Sequence, residues 1–242
     1  MLRLLGAEVR RITGRRASFY GATAFAVLIT VLAVVLADQN DGNQALDNYS
    51  SAGRYAGLLG VVVMGALAGS YDTANGTMRY LVLTGVPRWQ LAAVRLLGIM
   101  VAALPMAALV LLISIVPASS AAGGITGDAV VHAVWAVLAT LWTWGLVSTG
   151  IGMLMRSNGP AIAASVVLFF GGTLITGLVA EFVSETLANY LLPVVFDQVA
   201  MWEGKGGAND YRLALGTAVV ALVVWLGAIA ALAVTRVQRD EY

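Results

Sequence analysis

Six long apolar runs dominate this sequence and restrict it to one kind of fold. They cover about residues 18–37, 52–70, 91–116, 129–155, 160–180 and 213–235. A helix needs about 20 apolar residues to cross the hydrocarbon core of a bilayer. The runs are continuous rather than alternating, and backbone groups in lipid must be satisfied within their own segment, so helices are favoured over strands. The sequence therefore predicts an all-α membrane protein, with an N-terminal segment over 1–17 and six transmembrane helices within 18–242.

The arginines predict how these helices are oriented. Six spans place both termini on the same side of the membrane, and 11 of the 14 basic residues fall on that side. These residues are Arg3, Arg10, Arg11, Arg15, Arg16, Arg79, Arg88, Arg95, Arg156, Arg236 and Arg239. The other side holds Arg54, Lys205 and Arg212 together with 9 of the 13 acidic residues. Because cytoplasmic loops are enriched in basic residues, we expect both termini to be cytoplasmic in a bacterial cytoplasmic membrane.

The first 16 residues have the pattern of an amphipathic helix. The apolar face carries Leu2, Leu5, Val9 and Ile12, and the arginines around it are Arg10, Arg11, Arg15 and Arg16. Such a helix lies in the membrane interface with its arginines near anionic headgroups. The alternative is an ordinary basic tail that only sets the topology.

Two polar segments are expected on the external side. Residues 38–51 are rich in Asp, Asn and Gly, which predicts a loop with turns. Residues 181–212 contain a short apolar stretch that Pro193 interrupts. That length suits short re-entrant or interfacial helices between the fifth and sixth spans rather than a further span.

Small residues and a proline predict details of helix packing. Gly53 and Gly57, and likewise Gly65 and Gly69, are spaced four apart around the second span. This spacing allows two helix backbones to approach closely. Pro105 lies inside the third span and predicts a kink there.

Several kinds of function lack their usual residues. The sequence around Lys205 does not have the glycine spacing or the Ser/Thr of a P-loop, and there is neither cysteine nor a metal-binding histidine motif. The spans carry essentially no carboxylates, since Asp128 and Glu181 fall at helix ends. Ion-coupled transporters usually have such groups inside their spans. We therefore expect no catalytic activity in this chain and an energy source outside it.

The most specific motif lies between the second and third spans, in residues 69–88. It contains Asp72, then Gly76-Thr77-Met78-Arg79-Tyr80-Leu81, then Gly85-Val86-Pro87-Arg88. Thr77 is a candidate N-cap and Gly85 a candidate stop, so the two glycines Gly76 and Gly85 can bracket a short cytoplasmic helix.

This motif and the six-span layout resemble the permease subunits of ABC-2-type ABC transporters, which have the type V exporter fold. The layout covers the whole chain, and the motif covers residues 69–88. One departure is that Tyr71-Asp72-Thr73 stands where many relatives have a glutamate closer to the Gly-Thr pair. The resemblance implies that the N-terminal segment is a connecting helix and that the motif is a coupling helix that docks on an ATPase. The implied coupling residues are Asp72, Gly76, Thr77, Met78, Arg79, Leu81, Gly85, Pro87 and Arg88.

The resemblance also implies the partners. A second permease subunit, either the same chain or a paralogue, would pair with this one, and two separate ATPase subunits would bind ATP and Mg²⁺. This chain itself would hold no cofactor or metal and would not bind nucleic acid. Export of an amphipathic or lipophilic substrate is the expected function. The alternatives are a membrane protein without transport activity, such as an assembly factor or the anchor of a signalling complex, and a secondary transporter.

Overall fold

A computed structural model describes residues 1–37, 41–77, 85–155, 157–201 and 213–239 of the chain. The described residues form helices and connecting turns, without a strand. The helices are α1 (Leu2–Thr13), α2 (Arg16–Leu36), α3 (Gly42–Ala74), α4 (Arg88–Ser119), α5 (Gly127–Leu154), α6 (Asn158–Phe182), α7 (Glu185–Ala188), α8 (Leu192–Met201) and α9 (Leu215–Arg239). Six of them, α2 to α6 and α9, are long and apolar enough to cross a membrane. The prediction of a multi-pass, all-helical membrane protein is therefore confirmed.

Helix α3 lies at the centre of this bundle. In its most apolar 18-residue stretch 67% of the residues are buried, against 17% in each of α2, α6 and α9. Its glycines allow neighbouring helices to pack closely, because a larger side chain would not fit at these positions. A Cβ on Gly65 would lie 2.8 Å from the carbonyl oxygen of Gly145, and one on Gly69 would lie 2.7 Å from the backbone nitrogen of Met153, which is too close for either contact. The predicted close approach of helix backbones is confirmed for Gly65 and Gly69, where the partner of α3 is α5. Gly53 and Gly57 lie against side chains of neighbouring helices instead.

The second span is longer than the sequence analysis predicted. It begins at Gly42 rather than near residue 52, so the prediction of an external loop is wrong for residues 42–51, while 38–40 lie outside the described residues. The Asp41 side chain accepts hydrogen bonds from the backbone N–H groups of Asn43 and Gln44, which caps this extension. At its other end α3 continues to Ala74 and so includes Asp72. The remaining span boundaries agree with the prediction within a few residues, as is usual for helix ends.

The N-terminal helix packs against α4. Ile12 is buried in the same core cluster as Ile99 and Ala102, whereas Leu2 is 86% exposed. Gly98 allows the close crossing, since a Cβ there would lie 2.7 Å from Cγ of Glu8. The predicted apolar face is thus buried at Ile12, half-buried at Leu5 and Val9, and exposed at Leu2.

The predicted segment between the fifth and sixth spans contains two short helices, α7 and α8. Val195, Phe196 and Val199 of α8 are buried in one cluster with Leu222 of α9. The indole Nε1 of Trp135 on α5 donates a hydrogen bond to the Val199 carbonyl oxygen at 2.7 Å. Helix α8 is therefore fixed onto the bundle.

Candidate functional site

Asp72 is the centre of a buried charge cluster in the last turn of α3. We call this end of the bundle, where α3 ends and α4 begins, the Asp72 end. One carboxylate oxygen of Asp72, Oδ2, accepts hydrogen bonds from Arg11 of α1 and from Arg95 of α4. The other, Oδ1, accepts from the hydroxyl of Thr77 at 3.0 Å. One carboxylate thus holds together three parts of the chain that are distant in sequence.

The two arginines differ in burial. The side chain of Arg95 is 4% exposed and that of Asp72 is 7% exposed, so this pair is removed from solvent. Arg11 is 26% exposed and also pairs with Glu8, one turn before it on α1. The Nη2 atom of Arg11 also donates a hydrogen bond to the carbonyl oxygen of Ala68 at 3.2 Å. Breaking a buried pair of this kind leaves an uncompensated charge in a low dielectric, which is strongly unfavourable.

A further arginine supports the same helix end. Arg15 donates a hydrogen bond to the Leu67 carbonyl oxygen at 3.0 Å, and its guanidinium lies 3.9 Å from the ring centroid of Tyr71. Positive charge near a helix C-terminus is also favoured by the helix dipole. Burial and the neighbouring Arg11 lower the pKa of Arg15.

The pKa of Arg11 is shifted in the opposite direction to that of Arg15. Desolvation by burial lowers the pKa of Arg11, but the carboxylates of Glu8 and Asp72 outweigh it, so the net pKa is raised. Arg11 is therefore held firmly in its charged form.

Two more contacts attach neighbouring helices to this end. The Ser70 hydroxyl donates to Oδ1 of Asn158 at 2.8 Å, which links α3 to the start of α6. The Arg88 guanidinium donates to the Gln238 carbonyl oxygen at 2.9 Å, which links the start of α4 to the end of α9. Consequently, a displacement of the chain between α3 and α4 would act on several helices.

The structure places the predicted coupling residues as follows. Asp72, Gly76 and Thr77 lie together at the end of α3, and the positive φ of Gly76, 67°, lets the chain turn after Asn75. Gly85 also has a positive φ, 77°, and Pro87 precedes the first residue of α4. The Thr77 hydroxyl bonds back to Asp72.

The helix that Thr77 was expected to cap would run through 78–84, which lie outside the described residues, as do Met78, Arg79 and Leu81. Arg10 and Arg16 of the predicted interfacial set are exposed. The docking and interfacial roles of these residues stay predictions.

Sequence reasoning did not find two members of the cluster. Arg95 was counted only as a cytoplasmic charge near the start of a span, but it is 3% exposed and paired with Asp72. Glu8 was not singled out, although its spacing of three residues from Arg11 allows an ion pair on one helix. Asp72 belongs to α3 but lies in its last turn, beyond the predicted span of residues 52–70, so the expectation that the spans contain essentially no carboxylates stays a prediction.

The opposite end of the bundle, where α3 begins and α8 packs, is called the Asp197 end. Arg54 of α3, counted in the sequence analysis among the charges of the external side, is 4% exposed. Its Nη2 contacts the hydroxyl of Tyr55 at 3.4 Å and the sulfur of Met201 at 3.8 Å, and its Nε has no hydrogen-bond partner in the described part of the chain. Asp197 of α8 is close enough to act on Arg54 electrostatically but forms no ion pair with it among the described residues.

Comparison with known proteins adds no assignment to this geometry. No protein-family model matches the chain, and no curated protein matches it.

Proposed function

We propose that this chain is the permease subunit of an ATP-driven ABC exporter of the ABC-2 type. Two copies, or this chain and a paralogue, would form the pathway, and two separate ATPase subunits would bind ATP and Mg²⁺. The Asp72 end would face the cytoplasm, in agreement with the arginine distribution. The proposed substrate is an amphipathic or lipophilic molecule, since the spans offer few polar contacts.

The observation that carries this proposal is the cluster around Asp72. A lever that receives force from an ATPase has to be joined rigidly to the helices that it moves. The segment proposed as that lever follows the end of α3 at Ala74, two residues after Asp72, and the Asp72 carboxylate binds Arg11 of α1 and Arg95 of α4. Thr77, the first residue of the proposed lever, is bonded to it as well. Motion of the segment would therefore act on α1, α3 and α4 together.

The other parts of the proposal agree with the bundle geometry. Helix α1 crosses α4 next to the cluster, where a connecting helix would have to lie to feel the same motion. Helices α6 and α9 are exposed along most of their apolar length and are free to face lipid or a second permease. We propose that α7 and α8 form the short re-entrant pair expected between the last two spans.

Association with an ATPase is the direct test. The tagged chain is extracted from its native membranes in a mild detergent, and the co-purifying proteins are searched for Walker A and signature motifs. We expect a stoichiometric ATPase with measurable ATP hydrolysis. A fully folded chain that never associates with such a protein contradicts the proposal.

A charge reversal locates the docking site. Arg79→Glu in the proposed lever should abolish co-purification of the ATPase, because the arginine is expected to point toward the partner. Arg3→Glu, an exposed arginine on α1, serves as the matched control and should retain the ATPase. A variant of Arg88 would be harder to interpret than Arg79→Glu, because it would also remove the hydrogen bond from Arg88 to the end of α9. Equal recovery of the ATPase with both variants excludes docking through Arg79.

Secondary transport is the second candidate, and one observation favours it. Arg54 is a buried charge inside an apolar span, and such charges often mark substrate or ion pathways. In sealed vesicles an exporter driven by ATP needs nucleotide and tolerates collapse of the ion gradients. A secondary transporter shows the reverse dependence.

A further inference from the structure

An aromatic cavity opens at the Asp197 end of the bundle, away from the Asp72 cluster. Its volume is about 220 Å³. The lining residues are Tyr55, Trp144, Phe169, Phe170, Thr173, Pro193, Phe196 and Asp197. They come from α3, α5, α6 and α8, so the cavity forms only when α8 is packed against the spans. The volume is below the range of about 300–1,000 Å³ for drug-sized ligands, and it suits a headgroup or a small aromatic ion.

The aromatic side chains in this cavity are rigidly arranged. Trp144 is 2% exposed and packs edge-to-face with two phenylalanines. Its ring centroid lies 5.1 Å from that of Phe169 and 5.9 Å from that of Phe196, with interplanar angles of 87° and 76°. Gly172 lets Pro193 come close to α6, since a Cβ there would lie 2.7 Å from Cγ of Pro193. Perpendicular rings offer π faces in several directions around one small space.

The cavity also has a carboxylate. Asp197 is the lining residue that carries a formal charge; it is exposed, and it forms no ion pair among the described residues. Arg54, the nearby cation, is directed at the ring of Tyr55, with 4.9 Å from its guanidinium carbon to the centroid. Because it is exposed and lines the cavity, the Asp197 carboxylate is accessible to a ligand bound there.

We propose that this cavity binds an organic ammonium ion that carries apolar substituents. Aromatic faces attract such cations more strongly when water is excluded, and quaternary ammonium groups are recognised in this way by aromatic cages. The carboxylate adds an opposite charge at the same place. Tyr55 and Phe170 are 44% and 56% exposed, so an apolar tail on the ammonium can extend out of the cavity along the bundle.

The electrostatics of Asp197 agree with a cationic ligand. Desolvation by its surroundings raises the pKa of Asp197, and the Arg54 guanidinium only partly opposes this. A bound ammonium ion would stabilise the charged carboxylate and relieve that cost. A neutral ligand would not stabilise the charged form of the carboxylate.

The test uses a pair of probes of nearly the same shape. Benzyltrimethylammonium is titrated into the purified chain in a nonionic maltoside detergent, with binding followed by calorimetry and tryptophan fluorescence. Neopentylbenzene replaces the quaternary nitrogen with carbon and serves as the neutral control. We expect saturable binding of the cation and no competition by the neutral compound. Equal competition would show an apolar pocket without charge preference and would overturn the proposal, as would absence of cation binding at millimolar concentrations.

Matched variants assign the binding to this cavity. Asp197→Asn should weaken binding up to about fivefold, in the range expected when a cation loses an exposed ionic partner. Asp128→Asn removes an exposed carboxylate from the first turn of α5 and should bind as the original protein does. Phe170→Leu should weaken binding several-fold, while Phe182→Leu, an exposed phenylalanine on the same helix that does not line the cavity, should not.

Thermal unfolding of each variant checks that the fold is intact. If Asp197→Asn binds the cation with unchanged affinity, the proposal fails. The binding assay needs no ATPase, so its outcome is separate from that of the proposed transport function.

Discussion

The two ends of the bundle treat buried charge in opposite ways. At the Asp72 end, Asp72 is bonded to Arg11, Arg95 and Thr77. At the Asp197 end, Arg54 has one long hydrogen bond to a phenol and a weak contact to a thioether, and its Nε has no partner among the described residues. Both ends join helices from distant parts of the sequence, but within the described part of the chain the ion pairs lie at the Asp72 end.

This difference separates two uses of charge. Paired charges hold helices in one arrangement, since moving either partner leaves the other unpaired in a low dielectric. Incompletely paired charges keep the capacity to interact with something else, such as a ligand or a second conformation. The Asp72 end has the properties of a fixed mechanical joint, and the Asp197 end those of a binding region.

The largest expected effect comes from removing the charge at the joint. Asp72→Asn keeps the size of the side chain but removes the carboxylate charge that pairs with Arg11 and with the buried Arg95. We expect a loss of about 3 kcal/mol in the free energy of unfolding, the magnitude typical of a broken buried pair. Thermal unfolding in detergent measures it, with Asp47→Asn, an exposed position on the same helix, as the control. Equal stability of Asp72→Asn and the control would refute a structural role for the pair.

A matched substitution compares the two ends directly. Arg95→Met should destabilise the protein by an amount of the same order as Asp72→Asn, because it leaves the Asp72 carboxylate buried with one fewer partner. Arg54→Met should be neutral or stabilising, since replacing a poorly paired buried charge with an apolar chain removes a desolvation cost. A lower melting temperature for Arg54→Met than for Arg95→Met would contradict this difference between the two ends.

The smallest effect concerns pH at the Asp197 end. Because the pKa of Asp197 is raised in the folded protein, the folded state binds more protons than the unfolded state just above the ordinary value of about 3.9. Stability should therefore decrease as the pH rises through this window. Asp197→Asn should lose this component of the slope, and Thr173→Val, which alters the same cavity without a titrating group, should keep it. Parallel melting curves for Asp197→Asn and the original protein at every pH would contradict this assignment.

The fold could be predicted from sequence to the extent that hydrophobicity determines it. Each of the six spans was found, because an apolar run of this length has few alternatives. The start of α3 was missed because residues 42–51 are polar, and only packing against neighbouring helices and the cap at Asp41 make them helical. Composition alone does not contain that information.

The candidate site could be predicted only in part. Asp72, Gly76 and Thr77 were singled out through the motif, and the structure brings them together. The ion pair with Arg95 joins residues 23 positions apart on different helices, and no local pattern reports such a contact. The same holds for the cavity, whose lining residues come from four helices.

The proposed function requires that ATP bound by an ATPase at the Asp72 end changes the arrangement of the Asp197 end. The chain has no cysteine, so spin labels can be attached at Ser120 and Val183 without removing native thiols. Both residues are exposed and lie beyond the Asp197 ends of α4 and α6. Electron–electron distance measurements on the complex with its ATPase, with and without ATP, should give two different distance distributions. Identical distributions, in a complex that has demonstrably bound ATP, would contradict the account.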